Sequence, residues 1–198
     1  MMAGIAWILA TVLGFALGGL VFHLPGSFGG LQSWDLVAVV FGAGIGFASG
    51  MAVGLVQWAA LRLSRRQGAR LVVAMGLGIG ITHGLMDGAP DSIGLLIVVI
   101  ASGIAVALLF AGLLEQRAPV AMLASAVGWG GGIWFAAWWI PRLGMPFHET
   151  GVDWALAHLA QGVVIAFVWA VPTALAGLPA ALRRGRGEPR ESISRATA

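Results

Sequence analysis

Long uncharged runs separated by short polar breaks make up most of the chain. Crossing about 30 Å of hydrocarbon takes roughly 20 residues of helix at ~1.5 Å each. Six runs approach that length: Gly4 to Phe22, Leu36 to Leu61, Leu71 to Met86, Ile93 to Leu114, Ala118 to Ile140, and Trp154 to about Ala176. They predict an all-α integral membrane protein, a six-transmembrane-helix bundle over residues 1–182. The Arg-rich tail over 183–198 has no apolar pattern and reads as disordered. The third run is the shortest and stops at Asp87, and Pro172 is expected to kink the sixth. The opening Met1-Met2-Ala3 lacks the basic segment of a secretory signal, so the first run is expected to be retained.

A second period runs through the first. Gly42, Gly46, Gly50 and Gly54 recur every four residues in the second run, and Gly76, Gly80, Gly84 and Gly88 do so in and just beyond the third. Residues four apart share a helix face, and small residues let helix backbones approach closely inside a membrane. Glycine-stripe packing is therefore expected, with weaker stripes at Gly103/Ala107/Ala111 and Gly162/Ala166/Ala170 and shorter ones at Gly14/Gly18 and Gly128/Gly132. Gln57 continues the second-run stripe, so its amide is expected to bond a neighbouring helix. A phosphate-binding loop needs a preceding strand and a following Lys, and neither is present.

Composition sharpens the class. Apolar residues make up 59% and charged residues 10%, against about 25% charged in a soluble domain. The cations are all Arg. Ten of the eleven (Arg62, Arg65, Arg66, Arg70, Arg117, Arg183, Arg184, Arg186, Arg190 and Arg195) follow even-numbered runs, and only Arg142 follows an odd one. Positive residues beside spans stay cytoplasmic, which predicts an N-in/C-in multi-pass topology in a bacterial cytoplasmic (inner) membrane. The Arg residues read as loop residues rather than a helical stripe, which argues against nucleic acid. The expected partners are the lipid bilayer and other membrane subunits or further copies of the chain. The absence of Cys excludes disulfides and thiolate chemistry.

Candidate chemistry gathers on the opposite half. His23, His83, His148 and His158 share it with Asp35, Asp87, Asp91, Glu149 and Asp153. His83 and Asp87 are four apart on one helix face. His83 borders the Gly80/Gly84 stripe and His158 is in register with Gln161 and Gly162, so both are expected to face the bundle. Neutral imidazole is a common transition-metal ligand, and ionisable groups at membrane depth are functional candidates. His83, Asp87 and His158 are therefore candidate metal ligands, with chemistry that also suits a haem or a chlorophyll-type pigment. No H-E-x-x-H or similar spacing singles out a cofactor, and the plainer alternative is histidines bonded to backbone or lipid. Trp7 and Trp58 are placed at the inner interface and Trp34, Trp138, Trp139 and Trp154 at the outer one, as aromatic belts. Trp129 and Trp169 fall mid-run, facing lipid, a partner or a pigment.

Two resemblances follow from particular residues. The small-residue core after Leu-Ala recurs in Trp7 to Gly18 and Met122 to Gly132, and Gly54-Leu-Val-Gln57-Trp58-Ala-Ala-Leu61-Arg62 closes the second run. These features resemble an uncharacterised class of glycine-rich bacterial membrane proteins built from helical hairpins, whose even helices close on Gly-x-x-Gln-Trp-x-x-Leu-Arg. The likeness covers residues 4–62 and 118–135 and implies a fold without a chemistry. Ile100-Ala-Ser-Gly103 in the fourth run and Ala157-His158-Leu-Ala-Gln-Gly162 in the sixth resemble the rhomboid intramembrane proteases, though Ile100 stands where that motif has its first glycine. That resemblance implies Ser102 as nucleophile and His158 as its base. The expected functions, in order, are a non-enzymatic subunit or scaffold of a membrane assembly, a small-solute or metal-ion transporter, and a rhomboid-like serine peptidase.

Overall fold

The computed structural model describes residues 2–23, 36–87, 92–113, 119–139, 159–160 and 162–184, and these residues are helical apart from short turns. The helices are α1 (Met2–His23), α2 (Leu36–Leu61), α3 (Arg65–Asp87), α4 (Ser92–Leu113), α5 (Pro119–Trp139), α6 (Gly162–Leu175) and the short α7 (Leu178–Arg184). Val39–Leu61, Arg65–Met86 and Leu96–Leu113 are long and apolar enough to cross a membrane, and Met2–Gly18, Pro119–Phe135 and Gly162–Leu175 form shorter apolar helices. Consecutive helices pack side by side and α6 returns to α1, so the bundle closes on itself. Its outward faces are apolar: Leu9, Ile97, Leu108, Leu123 and Phe167 are all more than half exposed.

The α2–α3 turn sets the register of the longest pair. Arg62 takes a left-handed backbone (φ 51°) after the last turn of α2. Its N–H bonds the Ala59 carbonyl at 3.2 Å while the Leu63 N–H bonds that of Trp58 at 3.3 Å, the paired bonds of a Schellman end. Leu63 is then buried. Ser64 precedes α3, its Oγ accepting from the Gln67 N–H at 3.4 Å and donating to Gln67 Oε1 at 3.0 Å. Ser-x-x-Gln is the spacing of a capping box, and it starts α3 six residues ahead of the expected Leu71. The third run is therefore not short. Arg65, Arg66 and Arg70 lie on the first turns of a helix, where they were expected in a loop.

With only Arg62, Leu63 and Ser64 between them, the helices run back along each other, and residues equidistant from Leu63 meet. A Cβ on Gly46 would lie 3.1 Å from Gly80 Cα, one on Gly50 2.8 Å from Gly76 Cα, and one on Gly54 2.6 Å from Val72 Cα. The two glycine stripes thus face each other. The same rule operates elsewhere at lower density: Gly14 sits on Val53, Gly103 on the Ala126 carbonyl, and Gly128 and Gly132 on Trp169 and Ile165.

The expected break at Pro172 takes a specific form. Residues Ala166–Ala170 are wound as a π-helix that ends two residues before the proline, which cannot donate to the carbonyl four residues back. That carbonyl, Val168, faces Gly128, where a Cβ would stand 2.9 Å away. Gly177, with φ +80°, then ends α6 and lets α7 turn across the Arg-bearing end. There the Arg183 Nε donates to the Leu61 carbonyl at 3.2 Å and the Gln67 Nε2 to that of Leu182 at 3.1 Å. Helix therefore continues two residues into the 183–198 tail, and residues 185–198 lie outside the described ones.

Candidate functional site

Four large rings fill the core between the helices. Trp7, Phe110, Trp129 and Trp169 come from α1, α4, α5 and α6 and are 0–2% exposed. Trp129 meets Trp169 edge to face at 5.2 Å, Trp169 meets Trp7 at 5.3 Å and Phe110 at 5.7 Å, and Trp7 meets Phe110 edge-on at 6.3 Å. These separations are those aromatic pairs prefer, each contributing about 0.5–1.5 kcal/mol beyond area burial.

An indole buried in an apolar interior leaves a costly N–H unless a partner is supplied. Each of the three indoles donates to a hydroxyl on another helix: Trp7 Nε1 to Thr173 Oγ1 at 3.0 Å, Trp129 Nε1 to Thr82 Oγ1 at 3.1 Å, and Trp169 Nε1 to Ser125 Oγ at 3.1 Å. The threonine hydroxyls pass their own protons to the carbonyl four residues back, Thr82 to Gly78 at 2.8 Å and Thr173 to Trp169 at 2.7 Å. The arrangement crosslinks α1 to α6, α5 to α3 and α6 to α5. Trp7 is thereby corrected: it is a fully buried core residue, not an interface anchor. Trp58 is partly exposed beside the α2–α3 turn, its Nε1 donating to the Leu63 carbonyl at 3.0 Å and its ring covering Gly68. Trp129 and Trp169 are buried away from the lipid-facing surface and meet each other.

Gln57 bonds a neighbouring helix as expected, its Nε2 donating to Thr11 Oγ1 at 2.9 Å. Thr11 gives its own proton to the Trp7 carbonyl at 2.7 Å, so it can only accept from Gln57. This fixes the amide orientation and leaves Oε1 buried without a partner.

Ser102 is fully buried and its Oγ donates to the Val99 carbonyl at 3.2 Å, within its own helix. One residue on, Gly103 is pressed against the Ala126 backbone of α5, so the seam beside Ser102 is closed. His158, its proposed base, lies outside the described residues. His83 Nδ1 donates to the Ile79 carbonyl at 3.0 Å. Its Cβ lies 2.9 Å from where Gly46 would carry one, so the residue sits at the α2–α3 interface, partly exposed. Asp87 ends the same helix, but its side chain is outside the described residues, as are Gln161 and His148. Among the described residues no group of three His, Asp or Glu side chains comes together to hold a metal ion.

The hydroxyl–indole pairs were missed in the sequence, though a signal existed. Trp7, Thr11, Gly14 and Gly18 follow the spacing of one helix face, and the glycines already marked that face as packed. Compared with known protein families, curated proteins and solved structures, the chain matches none.

Proposed function

We propose that α1 to α6 all span a bilayer, with the Arg-bearing end cytoplasmic in a bacterial inner membrane, and that the bundle is a non-enzymatic subunit or scaffold of a membrane assembly. Support for α1 and α5 as spans comes from length. The helices α1 and α5 have 22 and 21 residues, about 30 Å at ~1.5 Å per residue. Support for the orientation comes from Arg62, Arg65, Arg66, Arg70 and Arg183, which share one end with the N-terminus of α1 and with α7.

The observation that carries the scaffold reading is the filled interior. A carrier puts its site at the midplane among broken helices and exposed polar groups. Here the core is filled by four close-packed rings whose indole N–H groups are all bonded. A peptidase needs a nucleophile that substrate can reach, and Ser102 is buried against its own helix. The apolar outer faces are the surfaces left for recognition.

Photo-crosslinking in native membranes tests this reading. A benzophenone amino acid at Leu9, Ile97, Leu123 or Phe167 should give a discrete protein adduct on one contiguous face and lipid adducts elsewhere. Lipid adducts at all four positions would remove the assembly. Fluorophosphonate labelling lost in Ser102→Ala would instead establish the peptidase, and solute flux in proteoliposomes the transporter.

A further inference from the structure

Near the Arg-bearing end, α3 and α4 part to leave an open groove of about 480 Å³. Val73 and Leu77 line one wall, Leu109 and Leu113 the other, and Arg70 stands at one end. At the other end the helices close again, Val106 Cγ2 standing 2.9 Å from where a Cβ on Gly78 would be. From Arg70 to Leu77 the groove follows about two turns of helix, roughly 10 Å.

Gly112 lines the groove and adds no side chain to fill it. Gly46, Gly50, Gly54, Gly78 and Gly103 each press against a neighbouring helix, whereas a Cβ on Gly112 would meet nothing within 4 Å. Gly112 therefore serves no close helix approach, and its missing side chain widens the recess. Arg70 lines the mouth, and Arg66, four residues earlier on the same face of α3, is exposed as Arg70 is, so two guanidinium groups can converge on one anion. An apolar trough open along its side, ending at two cations level with a membrane surface, matches the amphipathic shape of one molecule class.

We propose that this groove holds one acyl chain of an anionic phospholipid, with the phosphate on Arg70 and Arg66. The proposal rests on the membrane reading above. Apolar walls take the chain, the closed end at Gly78 and Val106 limits its depth, and the Arg pair selects anionic over zwitterionic headgroups.

Native mass spectrometry of the full chain released from detergent tests it, with dioleoyl-phosphatidylglycerol and dioleoyl-phosphatidylcholine as probes. The wild type should retain one phosphatidylglycerol in preference to phosphatidylcholine. Arg70→Gln should weaken that retention about fivefold, and Gly112→Leu, which fills the trough, should abolish it. Gly44 has equally open space around it, so Gly44→Leu is the matched control and should retain lipid as wild type does. Equal retention of both lipids, or wild-type retention by Gly112→Leu, overturns the proposal. So does a dimer that Gly112→Leu dissociates, which would make a second copy the occupant. Release of the protein from membranes by alkaline carbonate would instead defeat the membrane reading itself, whatever the lipid result.

Discussion

Replacing Gly50 by alanine tests whether α2 and α3 meet backbone to backbone. A methyl group there overlaps the Met75 carbonyl and stands 2.8 Å from Gly76 Cα. The obstructing atoms are all backbone, so no rotamer change relieves them. Carbon atoms at optimal contact sit about 3.5–4.0 Å apart, so the helices must separate by roughly 1 Å, a gap that forfeits a quarter to a half of each lost contact. The loss extends to Gly46 and Gly54, which depend on the same register. Overpacking costs about 1–3 kcal/mol, and the rigidity of the backbone puts this site at the upper end. Gly44 is the internal reference, on the same helix with nothing within 4 Å of its would-be Cβ. There alanine gains up to about 1 kcal/mol of helix propensity. Gly50→Ala carries the same propensity gain, so the two alanine variants should differ by the overpacking cost alone, about 2–3 kcal/mol. Reversible unfolding in mixed micelles, followed by tryptophan fluorescence, measures the difference. Equal stability of Gly50→Ala and Gly44→Ala would refute the facing-stripe packing.

Three further outcomes follow from the buried polar groups. Thr173→Val strands the Trp7 indole N–H and should cost about 2–3 kcal/mol, whereas Thr173→Ser keeps the acceptor and should cost less; chemical denaturation that ranks them in reverse contradicts the crosslink. Gln57→Leu removes an unsatisfied acceptor together with one hydrogen bond, so it should fall within about 1 kcal/mol of wild type, while Gln57→Glu buries a charge and should fail to accumulate in membranes. Trp58→Phe loses the bond to Leu63 and about 1 kcal/mol at the α2–α3 turn, which should appear as faster tryptic cleavage at Arg62, Arg65 and Arg66 with little change in global unfolding.

Much of this packing is legible in the sequence. Both stripes were visible as periods of four, and their pairing follows once the turn is placed at Leu63, because Gly46 and Gly80, like Gly50 and Gly76, are equally distant from it. What hid that relation was the start of α3. Arg65, Arg66 and Arg70 looked like loop residues on charge alone, and only the Ser64-x-x-Gln67 capping pattern indicates that helix begins ahead of them. The error at Trp7 had another origin. Depth in the span suggested an interface, but the face decides burial, and Trp7 shares its face with Thr11, Gly14 and Gly18. The pairing of Trp7 with Thr173 could not be read at all, because 166 residues separate them and nothing in either segment specifies that α6 closes the ring on α1.

The first and last hairpins solve one packing problem with different polar chemistry. Gly14 and Gly18 seat α1 on Val53 and Ser49, as Gly128 and Gly132 seat α5 on Trp169 and Ile165. In each hairpin a hydroxyl three residues before the first glycine, Thr11 or Ser125, accepts an N–H from the paired helix. The residues just after those glycines, Phe15 and Trp129, bring their rings within 6.0 Å, so the two odd helices touch through equivalent positions. The recurring pattern after Leu-Ala is thus a hydroxyl acceptor with glycines that bring its donor within reach. The donors differ in what else they bury. An indole has one donor and no acceptor, so Trp169 is satisfied completely by Ser125. An amide also has an acceptor, and because the Thr11 proton is committed to Trp7, Gln57 must turn its nitrogen inward and leave Oε1 unpaired. The buried acceptor left without a partner among the described residues thus follows from using an amide where the other hairpin uses an indole.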